Sequence, residues 1–148
     1  MKRNKKALRN AAIATDRENF AKGILEEYQA GDLKVKRTSS GLGYIIHEAA
    51  DGDVPKHGKQ VGVHYLGMLV MDGSIFDESF SRGKSISFRL GLGQVIDGWD
   101  EGIDLLTVGD RATFFIPPKL GYGSAGAGAD IPPNSELLFY VELVHADR

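Results

Sequence analysis

Four histidines, His47, His57, His64 and His145, are the first candidates for chemistry in this chain. None stands at i, i+4 spacing to another, so they read as surface or strand histidines rather than metal ligands. There is no cysteine, which removes thiolate nucleophiles, thiolate metal sites and disulfides. Asp51-Gly52-Asp53 echoes a calcium loop but lacks its glycine and distal glutamate in the required places. Gly91-Leu92-Gly93 lacks the third glycine of a dinucleotide loop and the lysine of a phosphate loop. No serine sits in a nucleophile elbow, and neither a metal nor an organic cofactor is expected. What remains is a set of rings in the second half: Tyr65, Phe76, Trp99, Tyr122 and Phe139. Rings at these spacings build either a core or an aromatic pocket, and periodicity does not separate the two.

The elements that must position these rings follow from pattern. Thr15-Asp16-Arg17-Glu18 matches a capping box. Phe20, Ile24, Leu25 and Tyr28 follow at helical spacing, and Gly31 suits a C-terminal stop. The expectation is a mobile basic tail over 1–14 and a helix from Asp16 to Ala30. The helix's narrow apolar face must be covered; docking on its own domain and pairing with a second copy both satisfy it. From Leu33 the period becomes alternating. Strands are expected over Leu33–Lys36, Gly43–His47, Val61–Met71, Ile75–Asp77, Ser85–Leu90 and Arg111–Ile116, with a last one around Leu137–Leu143. Asp72-Gly73 marks a hairpin turn. Ile96, Trp99, Ile103 and Leu106 recur at helical spacing, so a short helix interrupts the strands. Lys119 to Pro133 reads as a long glycine-rich loop. The expected fold class is α+β, a curved antiparallel β-sheet wrapped around one short α-helix, with an N-terminal helical extension.

A chain of 148 residues, 42% hydrophobic and 26% charged, is of ordinary globular composition and fits one domain plus an extension. The division expected is 1–32 for the extension and 33–148 for the domain. The net charge of −2 is uneven, because residues 1–40 carry ten basic and five acidic side chains. A basic arm on an acidic domain reads here as a solvated tail, with no nucleic-acid partner expected. The segment after Met1-Lys2-Arg3 is too polar for a signal core. No stretch approaches the ~18 apolar residues needed to cross a bilayer. No membrane association is expected, and a cytoplasmic location is inferred.

The order of motifs is more specific than any one of them. Val63-His64-Tyr65-Leu66-Gly67 resembles the V-H-Y-T-G signature of the FKBP-type peptidyl-prolyl cis-trans isomerases. Ile75-Phe76-Asp77-Glu78-Ser79 is similar to their K-F-D-S-S, and Gln94 to Gly102 resembles E-V-I-x-G-W-x-E-G. Val108 to Ala112 matches V-G-x-R-A. Leu120 to Gly123 and Ile131 to Asn134 resemble the loop before the last strand, and Leu138 to Leu143 matches L-x-F-x-V-E-L. The resemblance spans roughly 41–145 in unbroken order.

The resemblance implies a peptidyl-prolyl cis-trans isomerase that assists protein folding, an immunophilin with proline-containing polypeptides as partners. Macrolides of the tacrolimus and rapamycin class are implied as inhibitors. The catalytic residues carried over are Tyr65, Asp77 and Tyr122. Tyr65, Phe76, Val95, Ile96, Trp99 and Phe139 would wall the pocket, with Trp99 as the floor for a proline ring. Ile86, Gln94, Ala127 and Ile131 complete the substrate-binding set. The Ile96 amide and the Tyr122 hydroxyl would donate to a ligand carbonyl. Asp77 would either act on the rotating carbonyl or hold Tyr122 and Arg82 in place. Ile86 stands where the family commonly has an aromatic residue. Ala127 and Asp130 stand where the best-known members carry histidine and an aliphatic residue. A non-catalytic module holding partners in the same bowl is the alternative function. A monomer is expected, with a dimer through the N-terminal helix as the other oligomeric state.

Overall fold

The computed structural model describes residues 2–148, with side chains from Lys5 onward, so Met1 of the expected tail lies outside it. Helix α1 runs over Lys2–Ala30, 29 residues, instead of starting at Asp16. The capping box therefore lies inside a helix. The segment before it, Ala7-Leu8-Arg9 and Ala11-Ala12-Ile13-Ala14, is rich in good helix formers, and this intrinsic preference continues the helix through Thr15. Its end is as expected. Gly31 turns left-handed at φ 77°, the Gly31 amide donates to Tyr28 at 3.1 Å and that of Asp32 to Glu27 at 3.0 Å. Those paired bonds satisfy two carbonyls that the helix leaves open.

Seven antiparallel strands follow: β1 (Lys36–Arg37), β2 (Gly43–Glu48), β3 (Gln60–Leu69), β4 (Ile75–Glu78), β5 (Ile86–Arg89), β6 (Arg111–Ile116) and β7 (Leu137–Ala146). A short helix α2 (Asp97–Ile103) lies between β5 and β6. The order in the sheet is β1-β2-β6-β7-β3-β4, with β5 also paired to β3. The first strand is shorter than expected because Leu33 and Val35 pack beneath α1 instead of joining the ladder. Met71 falls beyond β3 in the turn and is 73% exposed.

The sheet is buried on both faces. Val61, Val63, Tyr65, Phe114, Ile116, Phe139 and Val141 form one core with Trp99 and Ile103 of α2. Leu66, Met68, Phe115, Leu138 and Tyr140 form a second core with Ala21, Ile24 and Leu25 of α1. The helix thus docks on its own domain. Its buried stripe centres on Ala21, and Phe20 sits at the edge, meeting His47 at 4.9 Å and 88°. Arg17 donates to Glu142 at 2.6 Å, beside the Tyr140 hydroxyl donating to the same carboxylate at 2.7 Å.

The geometry that opens a site is on β3. Its outer edge pairs with β5 over Gln60–Val63 and with β4 over Leu66–Met68. Between the two, residues 79–85 leave the sheet, so this edge is split where Tyr65 stands.

Two predictions follow from the face under α1. Leu25→Ala removes a side chain 6% exposed, and urea unfolding should show a loss of about 2–5 kcal/mol; a change below about 0.5 would mean that α1 is not docked in solution. His47 bonds Thr113 at 2.7 Å and His64 bonds Ser79 at 2.8 Å. Burial holds both below the ordinary histidine value. The unfolded chain then binds protons near pH ~6.5 that the native state refuses, so stability rises with pH there and is lost as pH falls from 7 towards 5. The double variant His47→Gln, His64→Gln should flatten this slope; an unchanged slope would exclude these histidines as its source.

Candidate active site

The split edge leads into a cavity of about 380 Å³ lined by Tyr65, Phe76, Asp77, Ile86, Gln94, Val95, Ile96, Trp99, Tyr122, Ala127, Asp130, Ile131 and Phe139. Every site residue expected from the sequence borders it. Asp130, which departs from the aliphatic residue of the best-known family members, belongs to the same lining.

Trp99 lies at the floor, 4% exposed. Tyr65 meets it at 5.2 Å and 76°, and Phe139 at 5.3 Å and 87°; Phe76 in turn meets Phe139 at 5.5 Å and 83°. Edge-to-face packing of this kind is favoured by the ring quadrupoles. The indole Nε1 is buried and has no hydrogen-bond partner among the described residues.

Helix α2 holds Trp99 in place through several contacts. A Cβ at Gly98 would come within 2.8 Å of Ile116, and one at Gly102 within 2.7 Å of Phe114, so the glycines let the helix lie close on β6. Glu101 accepts from Thr38 at 2.6 Å and Ser40 at 2.5 Å, tying α2 to the β1–β2 turn. Asp100 accepts from the Gly91 amide at 2.8 Å and the Gly93 amide at 3.0 Å. Gly91-Leu92-Gly93 is therefore a turn bound to α2. Gln94 lines the cavity while accepting from the Arg89 amide at 2.8 Å.

Asp77 is bound differently from the expectation. Its partners are Tyr65, whose hydroxyl donates to Oδ2, and Arg82, which donates to Oδ1 at 3.2 Å; the Glu78 amide also donates to Oδ1, at 2.9 Å. The expected tie to Tyr122 is replaced by the one to Tyr65 because Asp77 lies opposite Gly67 in the β3–β4 register. That makes Tyr65, two residues along β3, its diagonal neighbour on the same face. Burial and the bond to Asp77 raise the Tyr65 hydroxyl above its ordinary pKa, so it stays protonated and donates.

Tyr122 stands at the mouth, 37% exposed. Burial, then the Asp77 charge, pushes its hydroxyl up, which keeps it a donor at neutral pH. The long loop is organised as single 3₁₀ turns at Pro118–Leu120 and Gly123–Ala125. It closes through Ala127 and Ile131, which exchange bonds of 2.9 and 3.1 Å.

Two supporting residues close motifs quoted from the sequence, but their roles were not legible there. Ser79 is wholly buried; its hydroxyl accepts from the Tyr65 amide at 2.8 Å and bonds His64 at 2.8 Å, fixing β3 where Tyr65 leaves it. At Gly67 a Cβ would fall within 2.6 Å of both Phe76 and Phe139, so only glycine leaves room for the two rings.

Residues 52–144 match the family model described as FKBP-type peptidyl-prolyl cis-trans isomerase. This chain belongs to that family. A probable FKBP-type isomerase of Haemophilus influenzae is 46% identical over 140 residues, covering 90% of this chain and 57% of the relative. FK506-binding protein 1 of Dictyostelium discoideum is 45% identical over 104 residues, 70% of this chain and 96% of the relative. Among solved structures, FkpA from Escherichia coli matches with a TM-score of 0.71 and 42% identity, covering 93% of this chain and 62% of the other. The chain spans 57% of the Haemophilus relative and 48% of an Aeromonas hydrophila FkpA, about half the length of such bacterial FKBP relatives. No helix among the described residues is long and apolar enough to cross a membrane.

Gly67→Ala should keep the FKBP fold with a stability loss of about 1–3 kcal/mol, while the Trp99 indole N–H resonance moves as Phe76 and Phe139 are displaced. An unmoved resonance would show that these rings do not set the cavity around Trp99.

Proposed function

We propose that this protein accelerates cis–trans isomerisation of Xaa-Pro peptide bonds and so assists the folding of proline-containing chains. The observation that carries the reading is the open aromatic cavity floored by Trp99. A cavity of about 380 Å³ lined by rings suits a pyrrolidine ring and its flanking amide. The acting unit is residues 33–148, with α1, from Ala14 onward, as a brace on the back of the sheet.

Rotation about an amide costs ~18–20 kcal/mol because resonance is lost, and free Xaa-Pro bonds exchange over tens of seconds. At the halfway point the nitrogen is pyramidal and the dipolar resonance form is gone. A less polar transition state gains from leaving water for a ring-lined pocket, whereas the planar amide loses hydration. That is differential binding and needs neither a nucleophile nor a general base. An acceleration of about 10⁴ requires ~5.5 kcal/mol, which desolvation and one or two hydrogen bonds supply.

In this reading Trp99 supports the proline ring, with Tyr65, Phe76, Val95 and Phe139 as walls and Ile86, Gln94, Ala127 and Ile131 around the mouth. The Tyr122 hydroxyl and the Ile96 amide donate to substrate carbonyls. Asp77 acts mainly by position: three donors occupy its carboxylate, which supports a role in holding Tyr65 and Arg82 over a direct one on the substrate. Relatives named FK506-binding proteins support FK506-type macrolides as competitors for the cavity.

Exchange NMR on a short Xaa-Pro peptide tests the proposal. Micromolar protein should speed exchange, and FK506 should suppress the gain. Tyr122→Phe should lower kcat/KM about fivefold, the loss of one hydrogen bond of ~1 kcal/mol. Asp77→Asn should lower it about tenfold with melting close to that of the parent protein. No rate gain at micromolar protein would reject the enzyme reading.

A further inference from the structure

Among the charged side chains at this site, Asp77 and Asp130 line the cavity itself. They are in different electrostatic states. Asp77 is matched by Arg82 at 3.2 Å and by the Tyr65 hydroxyl. Asp130 belongs to none of the ion pairs among the described residues. Of the basic side chains near the opposite rim, Arg82 is engaged by Asp77 and Tyr65, and Lys84 lines a neighbouring groove with Ser85 and Ser87. Asp130 thus presents an exposed carboxylate to whatever enters the apolar bowl, with its charge uncompensated.

Its backbone sits on an anchored turn. Ala127 and Ile131 exchange two backbone bonds around it, and a Cβ at Gly126 would come within 2.4 Å of the Ile131 carbonyl, so the hairpin closes tightly. Ile131, the next residue, is 6% exposed and anchors the tip against the core. The carboxylate is carried on an anchored turn at the mouth.

The surroundings do not oppose it: the domain over 33–148 carries eleven basic and fifteen acidic side chains and the whole chain a net charge of −2, a mild negative excess. A carboxylate at the mouth of the ring-lined bowl then discriminates by charge at short range. It attracts an ammonium or guanidinium on the residue adjoining proline and opposes a carboxylate there. At rim separations and intermediate screening a unit charge changes affinity by about fivefold, so Lys against Glu at one position should differ by about tenfold or more.

We infer that Asp130 is a specificity-determining residue, and that the preferred substrates carry a lysine or arginine next to the proline. The inference rests on the isomerase reading of the cavity, and its test separates the two. Two peptide series are compared by exchange NMR at low ionic strength, Ala-Xaa-Pro-Ala and Ala-Leu-Pro-Xaa, with Xaa as Lys, Leu or Glu. The protein should favour Lys over Glu by about tenfold in at least one series. Asp130→Asn should bring that ratio close to one, whereas Glu26→Gln, on the exposed side of α1, should leave it unchanged. Because the readout is a ratio within one protein, a general loss of activity does not mimic the effect. Raising salt to ~1 M, where the screening length falls to ~3 Å, should also collapse the preference in the parent protein. Activity with a Lys/Glu ratio near one, or a ratio that survives Asp130→Asn, overturns the inference and leaves the isomerase intact. No acceleration of any peptide overturns the isomerase reading and this inference with it.

Discussion

Trp99 packs nearly perpendicular to its neighbours. Tyr65 and Phe139 meet it at 76° and 87°, so neither ring lies stacked across the indole. A stacked ring would have closed the space; perpendicular rings form walls and leave a floor. The rest of the architecture holds this arrangement still. The glycines of α2 set the helix tightly on β6, Asp100 and Glu101 pin it to two turns, and Gly67 makes room for the outer pair of rings. The buried indole N–H has no hydrogen-bond partner among the described residues.

A sheet with an open site in one face cannot draw its whole core from that face. Helix α1 supplies the missing burial from behind. Leu66, Met68, Phe115, Leu138 and Tyr140 are all at most 2% exposed because Ala21, Ile24 and Leu25 cover them. The split outer edge of β3 and the cavity beside it sit opposite this second core. Phe80 belongs to that core and Ser79 to the clamp on Tyr65, so the segment between β4 and β5 is anchored on the helix side while Arg82 reaches back to Asp77. Rigidity behind the sheet is what allows a gap in front of it.

Alternation in β3, β6 and β7 placed Val61, Val63, Phe114, Ile116, Phe139 and Val141 on one face, and all six are there. It assigned no partner to the other face. The unbroken apolar run Leu137 to Val141 carried that information, since a strand buried on both sides has no polar alternate. The start of α1 was masked by a good capping box; a cap favours a helix start but does not forbid passage when Ala-rich turns precede it. For the site, ring spacing could not separate core from pocket, because a pocket wall obeys the same periodicity as a core. Motif order pointed to residues that line one cavity. It did not reveal that Asp77 grips Tyr65, which depends on strand register, nor the roles of Ser79 and Gly67, which depend on what lies across the sheet.

The polar groups of the bowl obey one rule with one departure. Catalysis through a transition state less polar than its ground state gains from a medium that solvates charge poorly, and a loose carboxylate or guanidinium within it would draw water in. Asp77, Arg82 and Tyr65 therefore satisfy one another, and Gln94 spends its carbonyl on the chain at Arg89. The groups left open, the hydroxyl of Tyr122 and the carboxylate of Asp130, stand at the mouth, where a substrate's flanking residues meet solvent. In the isomerase reading proposed above, neutral donors there orient the amide without favouring any sequence, whereas a lone negative charge at the rim favours one, selecting the neighbours of the proline without polarising the chamber in which the bond turns.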